Sequence, residues 1–428
     1  MSRRTPMSLF SLLPIAGLAA VVSCTAESMT ARVNCAADNA GLVLATGFCA
    51  QIVADSVGGA RHVAVAPNGD ILVALRDTAG GGVMVLRDTN GDGVADERHK
   101  FGPRGGTGIA FFDNHVYFAT DTSVVRWPWT ESSPTPTAGM ETIVTELAVQ
   151  RGHAAKTIAI AGDGSLYVNI GAPSNSCQAQ DRQVGSRGQD PCPLLEKSGG
   201  IWRFDARKPM QKLADGTRYA TGLRNVVALT IGPDDSTLWG VQHGRDLLSA
   251  NWGRQLPVFT DQKSAETPGE ELFRIEQGGD YGWPYCYYDL DLKQKILAPE
   301  YGGDGETQGR CANVGQPLVA FPAHWAPEAI VFYRAAAFPA EYRGGAFVSF
   351  HGSWNRAPLP QAGFNVSFVP VVNGQPTGAH RVFADGFRGD TTRARHRPMG
   401  LAVARDGSLI VSDDQGGRIY RVVWRGNE

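Results

Sequence analysis

One phrase recurs along this chain and limits what it can fold into: a short apolar strand, a turn with Gly or Asp, and a second apolar strand. It reads HVAVAPNGDILVAL from His62, GIAFFDNHVYFAT from Gly108 and TIAIAGDGSLYVNIG from Thr157. It returns as VVALTIGPDDSTLWGV from Val226, as the stretched EAIVFYRAAAFPAEYRGGAFVSF from Glu328, and as GLAVARDGSLIVSDD from Gly400. β-Branched and aromatic residues fill both arms of each copy, and no long helical period of apolar residues competes with them. One such unit cannot bury both faces of its own sheet, so the copies must stack and close into a ring. The expected fold is all-β, a six-bladed β-propeller over residues 25–428 with extended loops on one face. The last copy offers three strands, near 400–404, 408–412 and 418–424. The missing outer strand is expected from residues 49–54, fastening the ring with the opposite end of the chain.

Composition agrees with a ring of this size. The chain has 428 residues, 43% hydrophobic and 19% charged, with 52 glycines, which supplies a large core and many turns and excludes a disordered chain. A formal net charge of −2 offers no polybasic surface for nucleic acid. Residues 1–24 read as an export signal: Arg3 and Arg4 precede an apolar stretch, residues 9–22, that is short for a membrane span. It ends in Val21-Val22-Ser23-Cys24, similar to a bacterial lipobox, so the chain is expected in the periplasm or cell envelope. Cys24 is then either a lipid anchor or a residue near an ordinary cleavage site. Without Cys24, the seven cysteines reduce to six that neighbour one another in sequence. Three local disulfides are expected in an oxidising compartment: Cys35 with Cys49, Cys177 with Cys192, and Cys286 with Cys311. The alternative, a metal–thiolate site, lacks any C-x-x-C spacing.

In a propeller, residues just before each innermost strand converge at one mouth of the central channel. Those positions hold Arg61, Thr107, His153, Lys156, Arg224, Asn225, His324, Glu328, Arg395 and Arg397. Several cations aimed at one cavity repel each other unless an anion occupies it or loop carboxylates pair with them. Separately, Asp88, Asn90, Asp92 and Asp96, with Gly93 at the turn, match the start of an oxygen-rich Ca²⁺ loop, although His99 replaces the usual acidic twelfth position. An Asx-rich turn between strands is the alternative there.

Longer segments carry a resemblance. QRGHAAKTIAIAGDGSLYVNIG, YATGLRNVVALTIGPD, VQHGRD and GEELFRIEQGGDYGWPYC, with FVSFHGSWNR and ARHRPMGLAVARDGSLIVSDD, resemble the pyrroloquinoline quinone (PQQ)-dependent sugar dehydrogenases of the soluble glucose and sorbosone dehydrogenase family. The likeness spans nearly the whole mature chain, and Gly278 to Pro284 is its most distinctive run. It implies oxidation of sugars or related aldehydes by hydride transfer to PQQ, assisted by calcium. By resemblance His153 is the catalytic base, Arg224 stabilises developing charge and Asn225 is its hydrogen-bond partner. Arg61, Lys156, Arg224, Asn225, His324, Arg356, Arg395 and Arg397 would face the cofactor, with Arg356 standing where the glucose dehydrogenases have a lysine. Backbone carbonyls at Gly244 and Arg245 would hold calcium, an ion that takes hard oxygen ligands.

The implied partners are a small sugar and an external electron acceptor, a quinone or a cytochrome c, since no C-x-x-C-H marks a bound haem. No nucleic acid is implied, and membrane contact is expected only through Cys24. Two other classes compete. A gluconolactonase-like hydrolase would hold one metal with side chains such as Glu328 and Asn225, and a cofactor-free propeller would bind glycans or proteins with its loops.

Overall fold

Each repeated phrase forms the two innermost strands of one antiparallel sheet. The computed structural model describes residues 1–2, 33–76, 81–389 and 393–426, so the export signal and Cys24 lie outside the described residues. All elements belong to the compact unit Ala31–Glu428. Blade one is Ala60–Val65, Ile71–Leu75, Val83–Arg87 and Glu97–Phe101; blade two is Gly108–Phe112, His115–Ala119, Val124–Pro128 and Glu141–Val144. Blade three runs through Ile158–Ile160, Ser165–Ile170, Gly200–Asp205 and Thr217–Thr221, and blade four through Ala228–Ile231, Leu238–Gln242, Glu270–Ile275 and Val319–Phe321. Blade five holds Pro327–Phe332, Ala346–Phe350, Asn365–Val369 and Arg381–Asp385. Blade six holds Pro398–Val403, Leu409–Asp413 and Ile419–Trp424, and its outer strand is Phe48–Ala54 from the other end of the chain. The expected six-bladed ring and its closing strand are both present.

Burial explains why these strands are apolar without interruption. In Ile71–Leu75 every residue is buried, because blades stack on both faces of the sheet. Leu72 packs toward Val116 and Phe118 of blade two, whereas Val73 packs toward Ile410 and Ile419 of blade six. The same alternation joins blade three to four through Ile201 and Phe273, and blade five to six through Phe347 and Val411. Each buried side chain of this size contributes about 1.5–3 kcal/mol.

The loops after the middle blades carry their own small cores. All three expected disulfides form: Cys35–Cys49, Cys177–Cys192 and Cys286–Cys311. Helices Leu248–Trp252 and Asp261–Glu266 and the hairpin Cys286–Asp289/Gln294–Leu297 pack around Phe259, Tyr287 and Ile296. Arg245 ties this insertion down through Glu300, which also accepts a hydrogen bond from Trp252 Nε1. In the run Gly278 to Pro284, Gly282 has φ +93, and a Cβ there would lie 2.9 Å from Cys286 Cβ, so only glycine fits. Trp283 then turns inward, against Cys177 and Cys192.

Candidate active site

The distinctive Trp283 reaches the channel mouth through one buried asparagine. Asn175, fully buried, accepts Trp283 Nε1–H (2.9 Å) and Arg224 Nε–H (3.2 Å) on its carbonyl oxygen. Its Oδ1 accepts from Arg224 Nη2 (3.1 Å) and from the Asp246 amide (2.9 Å). Arg224 is also bonded through Nη2 to Asp246 Oδ2 (3.0 Å) and through Nη1 to the Gly244 carbonyl (2.8 Å). Among the described residues, one of its five guanidinium hydrogens, on Nη1, has no partner.

Arg224 lines a cavity of about 200 Å³ together with His153, Arg182, His243, Gly244, Asp246, Glu270, His324 and Asn355, and Trp354 stands on its wall, 66% exposed. His153 donates Nδ1–H to the Ala172 carbonyl, which fixes the tautomer and leaves Nε2 as its proton-accepting atom. Burial, then the charge of Arg224, lowers this imidazole to about 3. Its backbone sits at φ +50, a left-handed conformation uncommon for a residue that carries a side chain. Gly171 allows the ring to approach: a Cβ there would lie 2.5 Å from Asn225 Oδ1 and 2.8 Å from His153 Cβ.

Asp246 is the electrostatic centre of the wall. It accepts from Arg182 Nη2 and Arg224 Nη2, both at 3.0 Å, and from Asn355 Nδ2 at 2.8 Å. Burial alone would raise its carboxyl, but Arg224 and Arg182 hold it down at about 2. Glu270 accepts the amides of Gly244 (2.7 Å) and Ala326 (3.0 Å), joining two loops. His324 donates Nε2–H to the Ser264 carbonyl and accepts from Asn355 on Nδ1. His243 lies 3.7 Å from Glu328; burial opposes its protonation, yet Glu328 raises its pKa above the ordinary value.

The sequence-predicted residues divide into those at the cavity and those behind it. His153, Arg224, His324 and Gly244 line it. Asn225 lies one layer back, accepting Asn169 Nδ2–H at 3.1 Å. Lys156 is fully buried away from the cavity, bonded to Gln150 Oε1 and the Ala154 carbonyl, and burial lowers its ammonium to about 8. Arg61 pairs with Asp414 at 3.0 Å and Glu328 at 3.9 Å, because a buried guanidinium is tolerated only beside counter-charge. Arg397 donates to His351 Nδ1, whose Nε2–H is bonded to the same Asp414. Arg395 is exposed, and Arg356 points its guanidinium at the carbonyls of Ala265, Ala323 and Pro360 instead of at the cavity. The Arg245 side chain serves the loop core through Glu300. At the loop of Asp88, Asn90, Asp92 and Asp96, the side-chain oxygens accept from that loop's own amides, Thr89 and Asn90. Among the described residues no group of three or more His, Cys, Asp or Glu side chains gathers as a metal site. Glu328 faces His243 at 3.7 Å and Arg61 at 3.9 Å, whereas Asn225 is turned to Asn169.

Comparison with known proteins decides the family. The profile of the TrAA12-like family matches residues 42–425. The chain belongs to the TrAA12-like family. Over 438 residues, 93% of each chain, it is 25% identical to the Pyrroloquinoline quinone-dependent sugar dehydrogenase of Hypocrea jecorina. It is 28% identical over 206 residues to an uncharacterized protein of Borreliella burgdorferi, a match that spans 48% of this chain and 48% of that relative. A calcium structure of the Trichoderma reesei AA12 enzyme superposes with a TM-score of 0.73 at 22% identity, covering 90% of this chain and 97% of that one.

In this TrAA12-like chain, sequence reasoning missed Asn175, Arg182, Asp246, Glu270 and Asn355. Asp246 sits in the quoted VQHGRD and Asn355 in HGSWNR, so their segments were marked while their roles were not. Asn175 and Arg182 belong to the Cys177 loop, whose irregular backbone gives no periodicity from which a side-chain direction could be read.

Proposed function

We propose that this protein is a PQQ- and calcium-dependent dehydrogenase that oxidises sugars or related aldehydes and passes the electrons to an external acceptor. The observation that carries the reading is a half-buried imidazole held neutral, His153, facing the same cavity as a buried guanidinium, Arg224. The relatives agree: one is named as a PQQ-dependent sugar dehydrogenase and another was solved with calcium.

The residues present fit such a cofactor. A flat polyanion needs donors on a polar wall, and this wall offers the spare Nη1 hydrogen of Arg224 and the buried, unpartnered Nδ1 of His243. Arg182 adds a second guanidinium, and Asn355 presents its amide between His324 and Asp246. For calcium the same wall offers oxygen: the second lone pair of the Gly244 carbonyl and the carboxylates of Asp246 and Glu270. When bound, PQQ with its calcium supplies the two-electron acceptor for hydride from the carbon being oxidised.

The chain's own residues do the remainder. His153 Nε2 takes the substrate hydroxyl proton, and its Nδ1–H bond to Ala172 holds the ring for that task. Arg224 offers its Nη1 hydrogen to an oxygen that gains negative charge, and Asn175 and Asp246 keep the guanidinium from moving. Asp246 stays ionised throughout the neutral range, so the paired cations keep their positions.

Export and anchoring belong to the same reading. Six of the seven cysteines are joined in three disulfides, and Cys24, after the signal-like stretch, is the one left for acylation. The enzyme would then face the periplasm, within reach of a membrane quinone or a cytochrome c.

The test is an absorbance scan of purified apoprotein mixed with PQQ and Ca²⁺. A bound-quinone spectrum that bleaches on adding an aldose and recovers with a dye acceptor is expected. A spectrum that sugar leaves unchanged, together with metal-dependent lactone hydrolysis, would favour the hydrolase.

A further inference from the structure

Lys156 lies behind the cavity wall. Its ammonium is fully buried and donates to Gln150 Oε1 at 3.1 Å and to the Ala154 carbonyl at 2.6 Å. Gln150 in turn donates Nε2–H to the carbonyl of Gly171. The next residue, Ala172, carries the carbonyl that accepts His153 Nδ1–H. Two contacts therefore fasten the loop 150–156 to the strand end at 171–172, one through His153 and one through the Lys156–Gln150 relay. Between them the His153 backbone is held at φ +50, in the left-handed region that disfavours a side-chain-bearing residue. Among the described residues no carboxylate lies within ion-pair distance of Lys156, and Asp121 favours its charge only through space.

We propose that Lys156 and Gln150 form a positioning clamp that holds His153 in its left-handed backbone and Nδ1–H tautomer, so that Nε2 meets the substrate hydroxyl. The clamp acts through His153 and touches neither cofactor nor substrate. It rests on the reading of His153 as the base.

Three variants and two readouts test it. Lys156→Met removes the donor, Gln150→Ala removes the relay with little change in the buried interior, and Lys156→Arg keeps a donor. In ¹⁵N spectra of the apoprotein, wild type is expected to show His153 as the Nδ1–H tautomer, and Lys156→Met and Gln150→Ala a mixture of tautomers. With PQQ, Ca²⁺ and an aldose, kcat should fall about 100-fold in both variants while the PQQ titration midpoint stays within about twofold. Lys156→Arg should restore most of the rate. An unchanged tautomer and unchanged kcat in Gln150→Ala, with its thermal unfolding like wild type, overturns the clamp. If wild type shows the tautomer and the variants lose it, but no protein oxidises sugar, the clamp stands and the dehydrogenase reading falls.

Discussion

Asp246 is the side chain on which the cavity wall depends, and replacing it with asparagine has a calculable consequence. The carboxylate accepts one charged hydrogen bond from Arg224 and one from Arg182, both at 3.0 Å, and a third bond from Asn355 at 2.8 Å. An asparagine in its place has one acceptor oxygen and turns an NH₂ toward groups that are themselves donors. Arg182 is partly exposed and recovers most of its loss in water, whereas Arg224 is 4% exposed and does not. Leaving a buried guanidinium without its counter-charge costs about 3–5 kcal/mol, and the surviving bonds to Asn175 and Gly244 put Asp246→Asn at the lower end. With an unfolding entropy of roughly 2 cal/mol/K per residue, about 3 kcal/mol lowers the Tm of a unit this size by about 4 °C. Scanning calorimetry of the apoprotein near neutral pH reads this directly. The pH dependence adds a check. Asp246 is held at about 2 against an ordinary 3.8, so its stabilisation is complete above 3.8 and is lost as pH falls toward 2. The gap between wild type and variant should therefore be constant from neutral pH down to about 4 and close below it. A Tm shift under about 1 °C at neutral pH would refute the assignment of Asp246 as the counter-ion of a buried Arg224.

Other consequences are as direct. His153→Gln should lower kcat by a factor of about 10²–10⁴ with PQQ still bound, read by stopped-flow bleaching. His153 is held at about 3 against 6.5 when unfolded, so the unfolded chain takes up a proton first and stability falls as pH drops from 6.5 toward 3. The same substitution should flatten that part of the denaturation-versus-pH curve. Arg356→Ala should leave the PQQ midpoint within about twofold and lower Tm, because its guanidinium holds three loop carbonyls. Reducing Cys177–Cys192 should weaken PQQ binding more than it lowers Tm, since Trp283 packs on that disulfide and orients Asn175 against Arg224.

The ring was legible because its signal is periodic. HVAVAPNGDILVAL became Ala60–Val65 and Ile71–Leu75, and TIAIAGDGSLYVNIG became Ile158–Ile160 and Ser165–Ile170. The closing strand, expected at 49–54, is Phe48–Ala54, paired with Ile419–Trp424. The site was legible only as a neighbourhood. Position before an inner strand placed Arg61 and Arg224 alike near the mouth, yet Arg224 lines the cavity and Arg61 turns to Asp414 and Glu328. That choice depends on which carboxylate a distant blade presents, and 353 residues separate Arg61 from Asp414. Lys156 was read as a cofactor contact for the same reason, and its place behind His153 follows from Gln150, which lay in a quoted segment but was given no role.

A crystal structure of the protein reconstituted with PQQ and Ca²⁺ tests the account most directly. The account requires planar density in the cavity between blades three and five, within hydrogen-bonding distance of Arg224 Nη1 and with His153 Nε2 facing the reacting edge. Density further along the channel, in the cavity lined by His62, Asp235 and Arg334, or none in a crystal grown with saturating cofactor, would contradict it.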